Sequence, residues 1–223
     1  MDAPQNETLA HAGLQYRDLK VESRSITAET RLLSPVQISV FYETSCPDCR
    51  NFVVNQLCPT WFRLKEVVNI TLIPFGNAEE IREGQNWQFR CQHGEAECQG
   101  NFIQTCMIHY LKNATSYMPV ICCMESASSV LTEAQRCLQV HAPTVFWDTI
   151  NSCVNGDQGN ELMHQNAQMT NELDPPHNYV PWVLINEEHS EDLQHQAETD
   201  LFNLLCRTYI GHEACDLRED ISI

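Results

Sequence analysis

One stretch constrains the fold more than any other: Val36 to Pro59, VQISVFYETSCPDCRNFVVNQLCP. Val36, Ile38 and Val40 alternate with Gln37 and Ser39 and run into Phe41 and Tyr42, and β-branched and aromatic residues at period two predict a strand. Glu43, Thr44 and Ser45 end it. Ser45 is a favourable N-cap, and Pro47 then falls in the first helical turn, where its missing N–H costs nothing. Phe52, Val53, Gln56 and Leu57 continue at helical spacing, and Trp61 to Lys65 finish the helix. Val67 to Phe75, VVNITLIPF, reads as a second strand closed by Pro74 and Gly76. Strand, helix and strand of this size make a βαβ unit with parallel strands and a right-handed crossover.

Cys46 and Cys49 thus fall at the start of a helix that follows a buried strand. The thiolate is the nucleophile in disulfide exchange, and free N–H groups and the helix dipole stabilise it there. At pH 5 a thiol of pKa about 8.5 is ionised in about one molecule in three thousand, so the placement matters. Cys46, at the cap, is expected to be exposed and to attack first; Cys49, one turn inside, is expected to resolve the mixed disulfide. Asp48 opposes the thiolate unless it is protonated or turned outward. A structural disulfide or half of a zinc site would use the same two residues, but a CxxC between a strand and a helix favours redox chemistry.

Removing that pair from the twelve cysteines leaves an even set of ten: 58, 91, 98, 106, 122, 123, 137, 153, 206 and 215. Sequons for N-glycosylation occur at Asn6, Asn69 and Asn113. Together with the cysteines they favour the secretory pathway. The polar opening Met1-Asp2-Ala3-Pro4 reads as a mature chain whose leader was removed or replaced. A net charge of −17 argues against nucleic acid and anionic membranes as partners, and protonating the nine histidines in acid reduces the chain's self-repulsion. No apolar run approaches the ~20 residues of a membrane span.

Residues 1–33 lack periodicity and read as a flexible N-terminal arm. A glycan on Asn69 fits only an edge strand, near its end. From 77 to 155 the chain becomes cysteine-rich and helical. Glu95 to Leu111 carries Cys98, Phe102, Cys106 and Tyr110 at helical spacing. Val130, Leu131, Ala134, Cys137 and Leu138 form another apolar face, and Pro143 can start a helix carrying Val145, Phe146 and Ile150. None is long enough to be stable alone, so disulfides are expected to tie them; metal binding by these cysteines is the less favoured alternative. Residues 156–172 form a further helix with Leu162, Met163 and Met169, broken by Asp174-Pro175-Pro176. Val180 to Ile185 reads as a strand entered through Pro181. Glu187 to Gln194 is expected to turn, with a short strand after it and then a last helix holding Leu201, Leu204 and Leu205. Cys206 and Cys215 are close enough in sequence to pair.

A βαβ unit with a CxxC, a helical insertion and a strand entered through Val180-Pro181 resemble, in that order, a thioredoxin fold with an insertion. The resemblance implies that Pro181 is cis and packs beside Cys46. The insertion is more specific: Cys91-Gln92-His93-Gly94-Glu95-Ala96-Glu97-Cys98-Gln99-Gly100-Asn101, with Cys106 after four more residues, matches CQHGxxECxxNxxxxC. With YETSCPDC, IPFGNA and VPWVLIN in order around it, the chain from about Val36 to Gly211 resembles the gamma-interferon-inducible lysosomal thiol reductase (GILT) family. Two positions depart from that pattern. Glu187 follows Asn186 where the family usually has glycine, and Cys58 stands where an aromatic residue is expected, leaving its disulfide partner open.

The expected fold class is therefore α/β, thioredoxin-like, with a disulfide-rich helical insertion. The thioredoxin-like domain is expected in two parts, 34–76 and 156–215, split by the insertion over 77–155 and followed by a tail over 216–223. The resemblance implies reduction of protein disulfides at acidic pH, in the endosome or lysosome lumen or after secretion, through Cys46 and Cys49, with Pro47, Asp48, Val180 and Pro181 in support and no cofactor or metal. His93 reads as a hydrogen-bonded structural histidine more readily than as a proton relay. The partners are disulfide-bonded protein substrates and a small-thiol or protein electron donor. An oxidase or isomerase on the same fold, and a secreted binding module with a structural CxxC, are the competing readings.

Overall fold

A computed structural model of the chain describes residues 34–209. The expected N-terminal arm, the Asn6 sequon, Cys215 and the tail from 216 lie outside the described residues.

Strand β1 (Val36–Tyr42) lies at the centre of a three-stranded sheet. β2 (Val68–Pro74) pairs with it in parallel, Val36 opposite Val68 and Tyr42 opposite Pro74. The strand Trp182–Ile185 pairs antiparallel on the other side, Ile38 opposite Ile185 and Phe41 opposite Trp182. Side chains alternate across a strand, so Val36, Ile38, Val40 and Tyr42 enter the main core while Phe41 joins Ile73 and Trp182 on the opposite face. Both faces are covered, which explains why the strand ends read as unbroken apolar runs rather than alternation.

The crossover helix is not continuous. α1 (Pro47–Phe52) passes through a π turn (Val53–Leu57) into α2 (Cys58–Leu64). The Cys58 N–H bonds five residues back to the Val53 carbonyl, and Pro59, which has no N–H, follows. The proline deletes one rung of the ladder and the turn widens to absorb the loss.

Beyond β2 comes a hairpin that the sequence reading does not anticipate, β3 (Glu79–Glu83) and β4 (Asn86–Arg90), turning at Gly84 with φ +64°. Its strands are largely exposed, so no buried alternation announces them. α3 (Glu95–Leu111) has the bounds expected of it. α4 (Ala114–Ser126) is a helix that the sequence pattern does not announce; it carries Pro119 inside and is capped by Asn113, whose Oδ1 accepts from Ser116 N at 3.0 Å. α5 (Val130–His141) follows. α6 (Trp147–Val154) starts four residues after Pro143, because Pro143 lies in a turn that Val145 N closes on the Ala142 carbonyl at 3.0 Å. α7 (Asp157–Asn171) buries Met163 fully and leaves Met169 42% exposed, so only the first belongs to the core.

Among the described residues four disulfides join these pieces: Cys58–Cys122, Cys91–Cys98, Cys106–Cys153 and Cys123–Cys137. Their cysteines are thereby removed from the metal-binding alternative. The first spans 64 residues and ties the helix after the CxxC to α4. Long loops lose most chain entropy on closure, so this bridge constrains the unfolded chain most. Cys206 is also disulfide-bonded.

The last strand is β5 (Trp182–Ile185), and α8 (Glu191–Thr208) follows it directly. The expected turn ends early, because the helix already begins at Glu191, and the short strand expected after it does not form. Ser190 caps the helix, its Oγ accepting from Leu193 N at 3.2 Å, and Ala197, Leu201, Leu204 and Leu205 are buried at helical spacing. Asn186 and Glu187, at φ +51° and +69°, fill the tight turn between Ile185 and Glu188.

Candidate active site

β1 delivers the chain to Cys46, and α1 begins there. The N-cap is Cys46 itself rather than Ser45: its Sγ accepts from Cys49 N at 3.3 Å, and Pro47 takes the first helical position. Both cysteines are free thiols. Cys49 is fully buried, and Cys46 is 7% exposed, so the expectation of an exposed Cys46 is corrected. What covers it is the loop before β5: the Val180 carbonyl lies 3.9 Å from Cys46 Sγ, and the Val180–Pro181 bond is cis. The fold therefore brings Cys46, Pro47, Asp48, Cys49, Val180 and Pro181 together from opposite ends of the chain.

The two thiols are driven apart electrostatically. The hydrogen bond from Cys49 lowers Cys46 to about 6; burial opposes this, the N–H groups of Cys49 and Asp48 assist, and the Asp48 charge opposes. Burial above all, and then the hydrogen bond to Cys46, push the Cys49 thiol far above the usual range. One sulfur is thus poised as a thiolate and the other is held as its proton donor.

The CQHG signature has a structural purpose that its sequence did not disclose. It grips Glu43 and Thr44, two of the three residues between β1 and Cys46. Asn101 Oδ1 accepts from Thr44 N at 3.1 Å, and Thr44 Oγ1 donates to the Glu97 carbonyl at 3.2 Å. Gly100 lies so close that a Cβ there would sit 2.4 Å from Thr44 Oγ1. Glu43 is fully buried; Asn77 N donates to its Oε1 at 2.6 Å, and a Cβ on Gly76 would fall 2.3 Å from its Cγ. His93 reaches both acids, its Nδ1 lying 2.6 Å from Glu97 Oε2 and 3.5 Å from Glu43 Oε2. Burial, and then the Glu97 charge, raise Glu43 to about 7. Burial draws His93 down, but the Glu97 hydrogen bond and the Glu97 and Glu43 charges outweigh it and its pKa rises. Glu43, Thr44, Glu97, Gly100 and Asn101 were missed as site residues, because only the fold places the signature against the strand end. Glu43, His93 and Glu97 are also the donors that could hold a cation, their ligand atoms lying within 4.8 Å of one another.

The profile of the family described as Gamma interferon inducible lysosomal thiol reductase (GILT) matches residues 37–141. The chain is 50% identical over 200 residues to the gamma-interferon-inducible lysosomal thiol reductase of Carassius auratus, covering 86% of this chain and 79% of that one. The chain belongs to the GILT family. The Mus musculus protein of the same description is 41% identical over 188 residues, covering 84% of this chain and 73% of that one. Among solved structures, Chlamydia trachomatis DsbA superposes with a TM-score of 0.53 at 14% identity, over 77% of this chain and 88% of that one, and the fold is thioredoxin-like. As a GILT-family member the chain is a disulfide reductase, a thiol-disulfide oxidoreductase acting on disulfide-containing proteins.

In this GILT-family chain, the signature holds the strand end that leads into Cys46 and Cys49. Beneath that pair lies a second buried network. Gln104 Nε2 donates to Glu125 Oε1 at 2.5 Å, and the Tyr42 hydroxyl donates to Gln104 Oε1. Arg50 donates to the Glu125 carbonyl at 2.8 Å and to the Ala127 carbonyl. The two expected glycan sites that are described, Asn69 on the edge strand β2 and Asn113 at the α4 cap, are both exposed. No helix among the described residues is long and apolar enough to cross a membrane.

Proposed function

We propose that the chain reduces disulfides of protein substrates in an acidic lumen, the endosome or lysosome, with Cys46 as nucleophile and Cys49 as resolving thiol. The observation that carries this reading is the Cys46 sulfur: it caps the helix, accepts the Cys49 N–H and lies against the Val180 carbonyl. With its pKa near 6, about one Cys46 in ten is thiolate at pH 5, against about one in three thousand for an ordinary thiol. The thiolate attacks one sulfur of a substrate disulfide, forming a Cys46 mixed disulfide and releasing the other substrate sulfur as a thiolate, which takes a proton from water. Cys49 then gives up its proton, attacks Cys46 and releases the second substrate thiol. The product is a Cys46–Cys49 disulfide, which a small-thiol or protein donor returns to the dithiol. Pro47, Asp48, Val180 and Pro181 shape the surroundings of Cys46. The names of the relatives support the lysosomal placement, and the exposed sequons at Asn69 and Asn113 accord with passage through the secretory pathway.

Insulin reduction at pH 4.5 and 7 tests the reading. Cys46→Ser is expected to abolish activity, and Cys49→Ser to accumulate mixed disulfides on Cys46. Adducts on Cys49 with activity retained in Cys46→Ser would reverse the roles. One observation favours a second reading, as an oxidase or isomerase: a stabilised thiolate stabilises the reduced pair and makes the disulfide a stronger oxidant. The reduction potential of the Cys46–Cys49 couple separates the two.

A further inference from the structure

Beside the redox pair an open cleft of about 540 Å³ is walled by Asp48 of α1, by Tyr179, Val180 and Pro181 of the loop before β5, and by Glu191 and Glu198 of α8. We propose that this cleft takes a cationic segment of the substrate, a lysine or arginine close in sequence to the cysteine whose disulfide is cut. The proposal rests on the reading of Cys46 as the attacking nucleophile and adds the class of polypeptide it favours.

Position comes first. One wall carries the Val180 carbonyl, 3.9 Å from Cys46 Sγ, and the other carries Asp48, two residues after Cys46. Because the cleft is lined by the residues on either side of Cys46, a polypeptide joined to that sulfur would carry its flanking residues past it.

Charge comes second. Asp48, Glu191 and Glu198 face the cleft, and among the described residues none of the three has a Lys, Arg or His nitrogen within 4.0 Å. His195 is the one basic group in its lining. An acidic face on a chain of net charge −17 is ordinarily a solvated surface, but two of these carboxylates are held in place. The Tyr179 hydroxyl is 3.3 Å from both oxygens of Glu191. Gln194, 3% exposed, donates to Glu198 Oε1 at 2.7 Å and to the Pro181 carbonyl at 2.9 Å, and accepts from Val183 N at 3.0 Å. This ties Glu198 to the same loop that covers Cys46. Pre-positioned carboxylates lose little freedom on meeting a cation.

The arrangement also works against the thiolate, since negative charge beside Cys46 opposes its ionisation. A substrate cation in the cleft would cancel that opposition at the moment of attack.

The test uses three peptides, each a disulfide-linked homodimer of one cysteine peptide, that differ only in flanking residues: Lys, Ser or Glu two and three positions from the cysteine. Single-turnover oxidation of the reduced protein by each is followed at pH 5.5 in 20 mM and 500 mM NaCl. The Lys peptide is expected to react about 30-fold faster than the Glu peptide at low salt, with the ratio falling below about 3 at high salt. In Glu191→Gln/Glu198→Gln the low-salt ratio should fall to about 5 or less. A ratio within about threefold of unity at low salt, or one that the double variant leaves unchanged, overturns the charge proposal while reduction of the Ser peptide upholds the nucleophile. Failure to reduce even the Ser peptide overturns the reading of Cys46, and the proposal with it.

Discussion

Replacing Glu125 with glutamine should flatten the dependence of stability on pH. Glu125 is 2% exposed on α4. Its Oε2 accepts no hydrogen bond, and Arg50 Nε stands 3.5 Å away while that guanidinium spends its strong bonds on backbone carbonyls. Burial therefore prevails over the opposing pull of Gln104 and Arg50 and raises the carboxyl from 4.5 to about 8. A raised folded-state pKa means that the contribution is fully present below the unfolded value of 4.5 and is lost as pH rises through about 8. Between pH 5 and 7.5 the folded state holds one proton that the unfolded state lacks, and stability falls by about 1.4 kcal/mol per unit, about 3 kcal/mol over the interval. That is a large share of the ~5–15 kcal/mol that holds a domain together. Cys46 acts with the opposite sign in the reduced protein. Its lowered pKa contributes stability that is complete above 9.0 and lost as pH falls through about 6. The measurement is therefore made on the oxidised protein, where neither cysteine titrates. Urea unfolding at intervals from pH 5 to 7.5 should show the parent losing about 3 kcal/mol more than Glu125→Gln, with Glu43, the histidines and net charge cancelling in the comparison. Parallel stability curves for the two proteins would refute the argument that a neutral buried acid adapts this fold to low pH.

Three further outcomes are expected. Iodoacetamide alkylation of the reduced protein should show a Cys46 midpoint near pH 6, moved lower by Asp48→Asn, which removes an opposing charge; a midpoint near 8.5 would remove the basis for acid activity. Gly100→Ala should lower stability by about 1–3 kcal/mol and slow Cys46 alkylation, because the new methyl displaces Thr44 and with it the strand end; thermal melts and the alkylation rate check it. Glu187→Gly should raise stability by up to about 1 kcal/mol in urea unfolding, since a non-glycine residue at φ +69° is strained and the loss of chain stiffness offsets only part of the relief.

Local information determined a good deal of this protein. The Val36–Tyr42 strand, the parallel pairing with the second strand, the cysteine pair at a helix start and the bounds of Glu95–Leu111 all follow from periodicity, turn residues and spacing over a few neighbours. Where exposure hides the pattern or a proline interrupts it, the same reasoning lost the trail: the β3–β4 hairpin, the helix around Pro119 and the π turn ahead of Pro59. By residue type Ser45 is the preferred cap. The choice fell to Cys46 in a fold that sets its sulfur between the Cys49 N–H and the Val180 carbonyl, 134 residues away. The disulfide partners, the burial of Cys46 and the purpose of the CQHG signature belong to the tertiary structure alone. Each depends on which distant segments meet: Asn101 on Thr44, His93 on Glu43, Cys58 on Cys122. Such meetings are set by how the faces of helices and sheet pack, a property of the whole chain that short-range spacing does not encode.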